Sequence, residues 1–530
     1  MKAFIWLNIL FLVNIHGALP RVDPLVLINQ GLVKGIKASD GDYSKFLGIP
    51  YAKVDLDDPF GPAQAAPEFE EEIFHAHDNS RKCPQTGFGP VESSGNSEDE
   101  SPDCLQLNIY SPSKASTLNP MPVLVWIHGG GFSGGNGNQY ETPNLIEQGI
   151  VVVTVNYRLG PYGFMCLDDP AVPGNQGLKD QYAALRWVRD NIAAFGGNPY
   201  NVTLAGQSAG SGSVLLQLYS QKEKLFDKVI AQSGTPLSPD MFVPGDPDLA
   251  IQLANYLGLN TTENQKALEF LAKTHHSLVT GAARSLSMEF RPCNEKSFSG
   301  VENFIDTDAY ALSNEKKIKN TPILIGNTDM EMHVDGDDFL EKDFFYTRLD
   351  EKFSLEPDQL KEIAEIVRHY YIGDRPITKD VESEAVAFQS DFAFNHPIQD
   401  TITNLLKDNA NPVYAYVFTY VESGEEGAPH GAELDYLFNM NQLDDKVRSV
   451  TEHMMVDRLT TLWANFIKYG NPTPETSDLI PVKWSPVTET TRPYLNIVAE
   501  LRMEERFLKE RMAFWELFQS VYGKYRKTVH

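Results

Sequence analysis

Three short runs constrain this chain more than any other feature: Pro122–Ile127, Ile150–Val155 and Val202–Ala205. The first two are apolar almost throughout, without the polar alternation of a strand that has one wet face, so each reads as a strand buried on both faces; the third also reads as a strand. Between the second and third, Gly177-Leu178-Lys179-Asp180 opens a segment with Ala184, Leu185, Val188 and Ile192 at helical spacing, closed by Gly196-Gly197-Asn198-Pro199. Behind the third, AGSGSVLLQLYS reads as a second helix, and further strands are predicted at Lys228–Ala231, Ile323–Ile325 and Val413–Val417. Strands alternating with helices predict a large, mostly parallel, doubly wound α/β sheet with helices on both faces. No Pro/Ser/Gly linker, internal repeat or charge block divides the chain, so residues 19–530 are expected to form a single domain with loop insertions.

That frame discriminates between two matches to G-x-S-x-G. Gly206-Gln207-Ser208-Ala209-Gly210 falls on the turn from a strand into a helix, where small flanking residues tolerate a strained nucleophile and the helix N-terminus is positive. Gly131-Phe132-Ser133-Gly134-Gly135 also follows a strand, but GGNGNQYETP behind it starts no helix. Ser208 is therefore the candidate nucleophile and Ser133 is not. The neighbouring His128-Gly129-Gly130-Gly131 still has a use: successive glycines expose backbone N–H groups which, with that of Ala209, would form an oxyanion hole.

A serine hydroxyl needs a base, and the base needs an orienting carboxylate, in the chain order Ser, acid, His on such a sheet. Glu331 follows the strand Pro322–Gly326 within a few residues, at the carboxyl end where these sheets place their sites; Asp329 and Asp335 share that loop. Of the histidines beyond it, His369 and His453 lie in polar, helix-like surroundings. His430 sits in the turn-rich GAPHGAE loop shortly after the strand at 413–421 and is the candidate base.

The net charge of −27 argues against binding to nucleic acid or an anionic membrane surface, both of which require a basic face. At the N-terminus, Lys2 precedes the apolar run Phe4–Val13, too short to span a bilayer, with small residues at Gly17 and Ala18; residues 1–18 read as a secretory signal peptide. The mature chain is expected to be secreted, without a membrane span, and monomeric. Export makes the four cysteines disulfide candidates. Cys83 and Cys104 flank a polar stretch and are expected to pair, whereas Cys166 and Cys293 could pair or stay buried and free, the free state being favoured. Asn260 and Asn201 head glycosylation sequons, Asn260 in the more polar setting.

Taken together, FLGIPYA from Phe46, DCLQLNIY from Asp103, WIHGGGF from Trp126, NYRLGPYGF from Asn156, the long run 174–199, GQSAG, and HGAELDYLF from His430 resemble the carboxylesterase/cholinesterase family (type-B carboxylesterases) of the α/β-hydrolase fold. The resemblance extends over nearly the whole mature length. It implies a serine ester hydrolase working through an acyl-enzyme on a small-molecule ester, with no metal or cofactor. The family's triad falls on Ser208, Glu331 and His430, its acid lying five residues after the strand-ending Gly326, which selects Glu331 over Asp329. Its oxyanion donors fall on Gly130, Gly131 and Ala209, its first disulfide on Cys83–Cys104, and its paired Arg and Asp on Arg158 and Asp180. Leu286 and Met288 stand where relatives line an acyl pocket with aromatics, which implies an aliphatic pocket.

Four departures from the family pattern stand out. Met332 replaces the glycine after the acid. Gln207 replaces a common Glu before the nucleophile, and neither residue is expected to touch the proton relay. The family's second disulfide has no counterpart in ANYLGLNTTENQ. Finally, Pro102 and the segment Pro59-Phe60-Gly61-Pro62 stand where relatives carry a mutually paired acid and Arg-Phe. The Cys83–Cys104 loop holds Phe88 but no Trp, so choline esters are not expected substrates. The chain looks most like secreted insect esterases of the lepidopteran type that degrade odorant, pheromone or xenobiotic esters. Juvenile hormone esterase is the alternative; the missing Arg-Phe counts against it. A non-catalytic adhesion role is remote, since the triad is complete.

Overall fold

The computed structural model describes residues 24–87, 99–239, 241–333, 340, 344–421, 426–438 and 448–527. The signal segment 1–18, Phe88, Asp335 and His530 lie outside them. The centre is an 11-stranded sheet. In chain order its strands are β1 (Ile36–Lys37), β2 (Tyr43–Pro50), β3 (Gln106–Pro112), β4 (Met121–Ile127), β5 (Val151–Val155), β6 (Gly197–Gln207), β7 (Lys228–Gln232), β8 (Ile323–Thr328), β9 (Val413–Phe418), β10 (Pro493–Ile497) and β11 (Arg502–Glu505). Across the sheet they run β11-β10-β9-β8-β7-β6-β4-β5-β3-β2-β1. From β5 to β10 every neighbouring pair is parallel, and the antiparallel pairs are confined to β1–β3 with β5 on one side and β10–β11 on the other.

The apolar runs behave as two-sided strands must. Val123, Val125, Ile127, Val151, Val153 and Val155 pack into one core, while Leu124, Trp126 and Val152 pack into a second core on the other face. Side chains alternate across a strand, so a run without polar interruptions feeds both cores at once. The helix α1 spans Gln176–Asn191 and α2 spans Ala209–Tyr219, directly behind β6. Every residue of α2 is buried, consistent with a helix that is apolar nearly all round. No described helix is long and apolar enough to cross a membrane.

Arg158 and Asp180 have no exposed side-chain surface and pair through two side-chain hydrogen bonds, Nε to Oδ2 at 2.8 Å and Nη2 to Oδ1 at 2.7 Å. The other Arg158 nitrogen, Nη1, donates to the carbonyls of Pro59 (3.1 Å) and Gly61 (2.6 Å). The Pro59–Pro62 segment, which departs from the family pattern, is thus held through backbone oxygens.

The cysteines correct one expectation. Cys83 pairs with Cys104, as predicted, but Cys166 and Cys293 are also bonded, across 127 residues, and no described cysteine is free. The reason lies in a long-range contact. Asn175, at the start of α1, clasps the Cys293 backbone from both sides, accepting from its N–H at 3.0 Å and donating to its carbonyl at 2.8 Å. That clasp brings the 290–293 segment against Cys166, a proximity that local sequence does not encode.

Candidate active site

The parallel strands β4, β6, β8 and β9 deliver the candidate residues to one edge of the sheet. The glycine loop follows β4, Ser208 follows β6, Glu331 lies three residues beyond β8, and His430 lies on the loop after β9. All four stand at the carboxyl ends of their strands, where such sheets bind ligands.

Ser208 caps α2 with φ 59° and ψ −125°, a conformation that L-residues seldom adopt. Its neighbours have no room for a side chain. A Cβ on Gly206 would meet Gly210 C and O at 2.5 Å, and one on Gly210 would meet Ile127 O at 2.1 Å. The Ser208 N–H donates to Gln232 O on β7 at 2.8 Å, so the elbow is tied to the next strand.

The glycine loop lies directly on that elbow: a Cβ on Gly129 would come within 2.9 Å of Ser208 Cβ. Two hydrogen-bond sets orient its peptides. His128 Nδ1 is 2.8 Å from Gly129 O. Burial drives the His128 pKa down to about 4, so its ring is neutral and its proton sits on Nδ1, donating to that carbonyl. Gly130 O accepts from Ser133 N and Gly134 N, each at 3.0 Å. In a trans peptide N–H and C=O point in opposite directions, so both anchored carbonyls turn the following N–H groups, of Gly130 and Gly131, to the other side of the loop. Ala209, fully buried, is the first residue of α2, where backbone N–H groups lack intrahelical partners.

Glu331 is 3% exposed. Its Oε1 accepts from Thr328 N at 2.8 Å, and its Oε2 lies 2.5 Å from His430 Nδ1. Burial pulls the His430 pKa down, but the charge and hydrogen bond of Glu331 outweigh it, and the balance lies above the ordinary histidine value. Asp329 has a different task, its Oδ1 accepting from Ala428 N at 2.8 Å and so bracing the loop that carries His430. The ring of Phe394 packs 4.9 Å from that of His430. His369 is half exposed and His453 exposed, as their polar contexts imply.

One expectation fails here. Gln207 does touch the relay: its Nε2 lies 3.0 Å from His430 Nε2. With the Nδ1 proton directed at Glu331, Nε2 presents a lone pair, and the Gln207 amide donates to it. A rotamer sets this contact, and sequence reasoning misses it because the residue before the nucleophile sits on the strand side of the elbow. The donated bond favours neutral imidazole, so Gln207→Glu, which replaces a donor by an anion, is expected to raise the His430 pKa. The acid limb of the kcat/KM–pH profile should then move up by about one unit. An unmoved or lowered limb would contradict this assignment.

Of the other expected residues, Leu286 is 38% exposed where the helix α3 (His276–Ser285) ends, and Met288 is half-buried against the first core. Asn260 is exposed. Asn201 lies within β6, with its amide donating to Lys468 O at 3.4 Å and its oxygen accepting from Lys228 Nζ.

This mixed sheet with its strand-to-helix serine elbow defines an α/β-hydrolase, and comparison with known proteins narrows the class. The model of the carboxylesterase family matches residues 22–515. Juvenile hormone esterase of Heliothis virescens is 30% identical over 506 residues, covering 86% of this chain and 87% of that protein. Venom carboxylesterase-6 of Apis mellifera is 28% identical over 485 residues, covering 85% and 86%. Among solved structures, juvenile hormone esterase from Manduca sexta with OTFP covalently attached matches with a TM-score of 0.83 at 27% identity, covering 95% of this chain and 100% of that one. The chain belongs to the carboxylesterase family and is an ester hydrolase.

Proposed function

We propose that Ser208, Glu331 and His430 form the catalytic triad of a secreted carboxylesterase acting on small to medium hydrophobic esters, of the odorant, pheromone or xenobiotic kind. The observation that carries the reading is the buried Glu331 carboxylate held 2.5 Å from His430 Nδ1, beside a serine elbow roofed by the glycine loop. Ester binding displaces the Gln207 amide from His430 Nε2, which then takes the Ser208 proton as Oγ attacks the carbonyl carbon. The N–H groups of Gly130, Gly131 and Ala209 receive the oxyanion. The intermediate collapses as His430 returns the proton to the departing alcohol. Water, deprotonated by the same histidine, then releases the acid and restores Ser208.

Export is supported by the paired cysteines, by the exposed Asn260 sequon and by the likeness to a venom carboxylesterase. The engaged side chain of Asn201 favours Asn260 as the glycan acceptor. Leu286 and Met288 are assigned to the acyl side of the pocket. The likeness to two juvenile hormone esterases supports a second reading, hydrolysis of that hormone. Parallel kcat/KM measurements on p-nitrophenyl acetate, butyrate and octanoate, short alkyl acetates and juvenile hormone separate the two. The first reading expects an aliphatic acyl or alkyl ester to exceed the hormone by at least about tenfold, a margin that a few methylene contacts supply. The reverse order would establish the second.

A further inference from the structure

The second serine match, Ser133, and the unpredicted Cys166–Cys293 bridge meet at one side chain. Arg291 Nη1 lies 2.5 Å from Gly131 O and 3.0 Å from Ser133 Oγ, and Ser133 Oγ itself donates to Gly131 O at 3.1 Å. Nη1 also reaches its neighbour's carbonyl, Phe290 O, at 3.2 Å. Two residues later, Cys293 is covalently tied to Cys166 and clasped by Asn175, while the Pro292 carbonyl accepts from Val243 N at 2.9 Å. A long, flexible side chain is thus launched from a segment fixed at three points.

We infer that Arg291 is a positioning residue for the oxyanion hole, acting through the Gly131 carbonyl. The inference rests on the triad and glycine-loop reading above. Gly131 has φ 53° and no side chain, so nothing of its own keeps its peptide planes in place. The plane before its Cα is held through Gly130 O by Ser133 N and Gly134 N. The plane after it is held through Gly131 O by Arg291 and Ser133. With both planes fixed, the Gly131 N–H keeps its direction as charge develops on the substrate oxygen. Catalysis by preorganised donors depends on avoiding reorientation at that moment. The guanidinium also places a positive charge one peptide from that donor, and as a charged donor it makes the stronger kind of hydrogen bond. Ser133, not the nucleophile, acquires a role as the neutral half of the same brace.

The test compares wild type, Arg291→Lys, Arg291→Ala and Ser208→Ala on p-nitrophenyl butyrate, and measures the affinity of each for an alkyl trifluoromethyl ketone, which forms a tetrahedral adduct with the serine. Arg291→Ala is expected to lose roughly 10- to 100-fold in kcat, less than deletion of a donor, with KM changed by less than about threefold. Ketone affinity should fall by the same factor as kcat/KM, and Arg291→Lys, which keeps the charge and a donor, should recover part of the loss. A merely structural role would lower the amount of folded enzyme without moving ketone affinity per active site. Should Arg291→Ala fail to fold, Arg291→Lys carries the test through the same parallel loss. Wild-type kcat and ketone affinity in the folded Arg291 variants, or a loss confined to KM, would overturn the assignment. Activity retained in Ser208→Ala would instead overturn the triad, a distinct failure.

Discussion

Glu331→Gln is expected to lower kcat by about 10⁴ while leaving KM within a few-fold of wild type, the scale at which a wrong-tautomer histidine fails. The geometry dictates why. Glu331 Oε1 accepts from Thr328 N and Oε2 faces His430 Nδ1. In a carboxamide only one atom remains an acceptor, and the buried Thr328 N–H claims it, because an unpaired buried donor is costly. The amide NH₂ then faces Nδ1, which must present its lone pair, and the ring proton moves to Nε2. A histidine protonated there cannot take a proton from Ser208. Steady-state turnover of p-nitrophenyl butyrate reads the effect, and a loss below tenfold would show that Glu331 does not set the tautomer.

Asp180→Ala should be strongly destabilising, at about 3–5 kcal/mol, because it strands the wholly buried Arg158 charge. The Pro59 and Gly61 carbonyls still accept from Arg158, yet they carry no compensating charge. The pair should nonetheless contribute little beyond a hydrophobic replacement of the same shape, so the double change Asp180→Ala with Arg158→Met should be milder than Asp180→Ala alone. Chemical denaturation midpoints check both statements. A single-variant cost below about 1 kcal/mol would mean that water reaches Arg158.

What local sequence reveals of this fold and site is set by the range of each interaction. The parallel strands β4 to β9 are legible because burial on both faces leaves continuous apolar runs, and Ser208 is legible because its turn needs small residues at fixed offsets. The outer strand β2 is not: its burial pattern alternates poorly, and a register shift separates Phe46 from Ile49. The choice between Glu331 and Asp329 needs either the family spacing or the structure, which gives each carboxylate a different partner. The Cys166–Cys293 bond, the Gln207 contact with His430 and the reach of Arg291 to Gly131 join residues 127, 223 and 160 positions apart. Local pattern carries no signal for such pairs.

The role of Ser208 is tested by the intact mass of the protein after exposure to an organophosphate, beside Ser208→Ala, with p-nitrophenyl butyrate turnover recorded on both. One phosphyl adduct is expected on the wild type, with hydrolysis that disappears as it forms, and neither adduct nor hydrolysis in the folded Ser208→Ala protein. An adduct or undiminished turnover in Ser208→Ala, or a folded wild type that neither reacts nor hydrolyses, would contradict the assignment of Ser208 as the nucleophile.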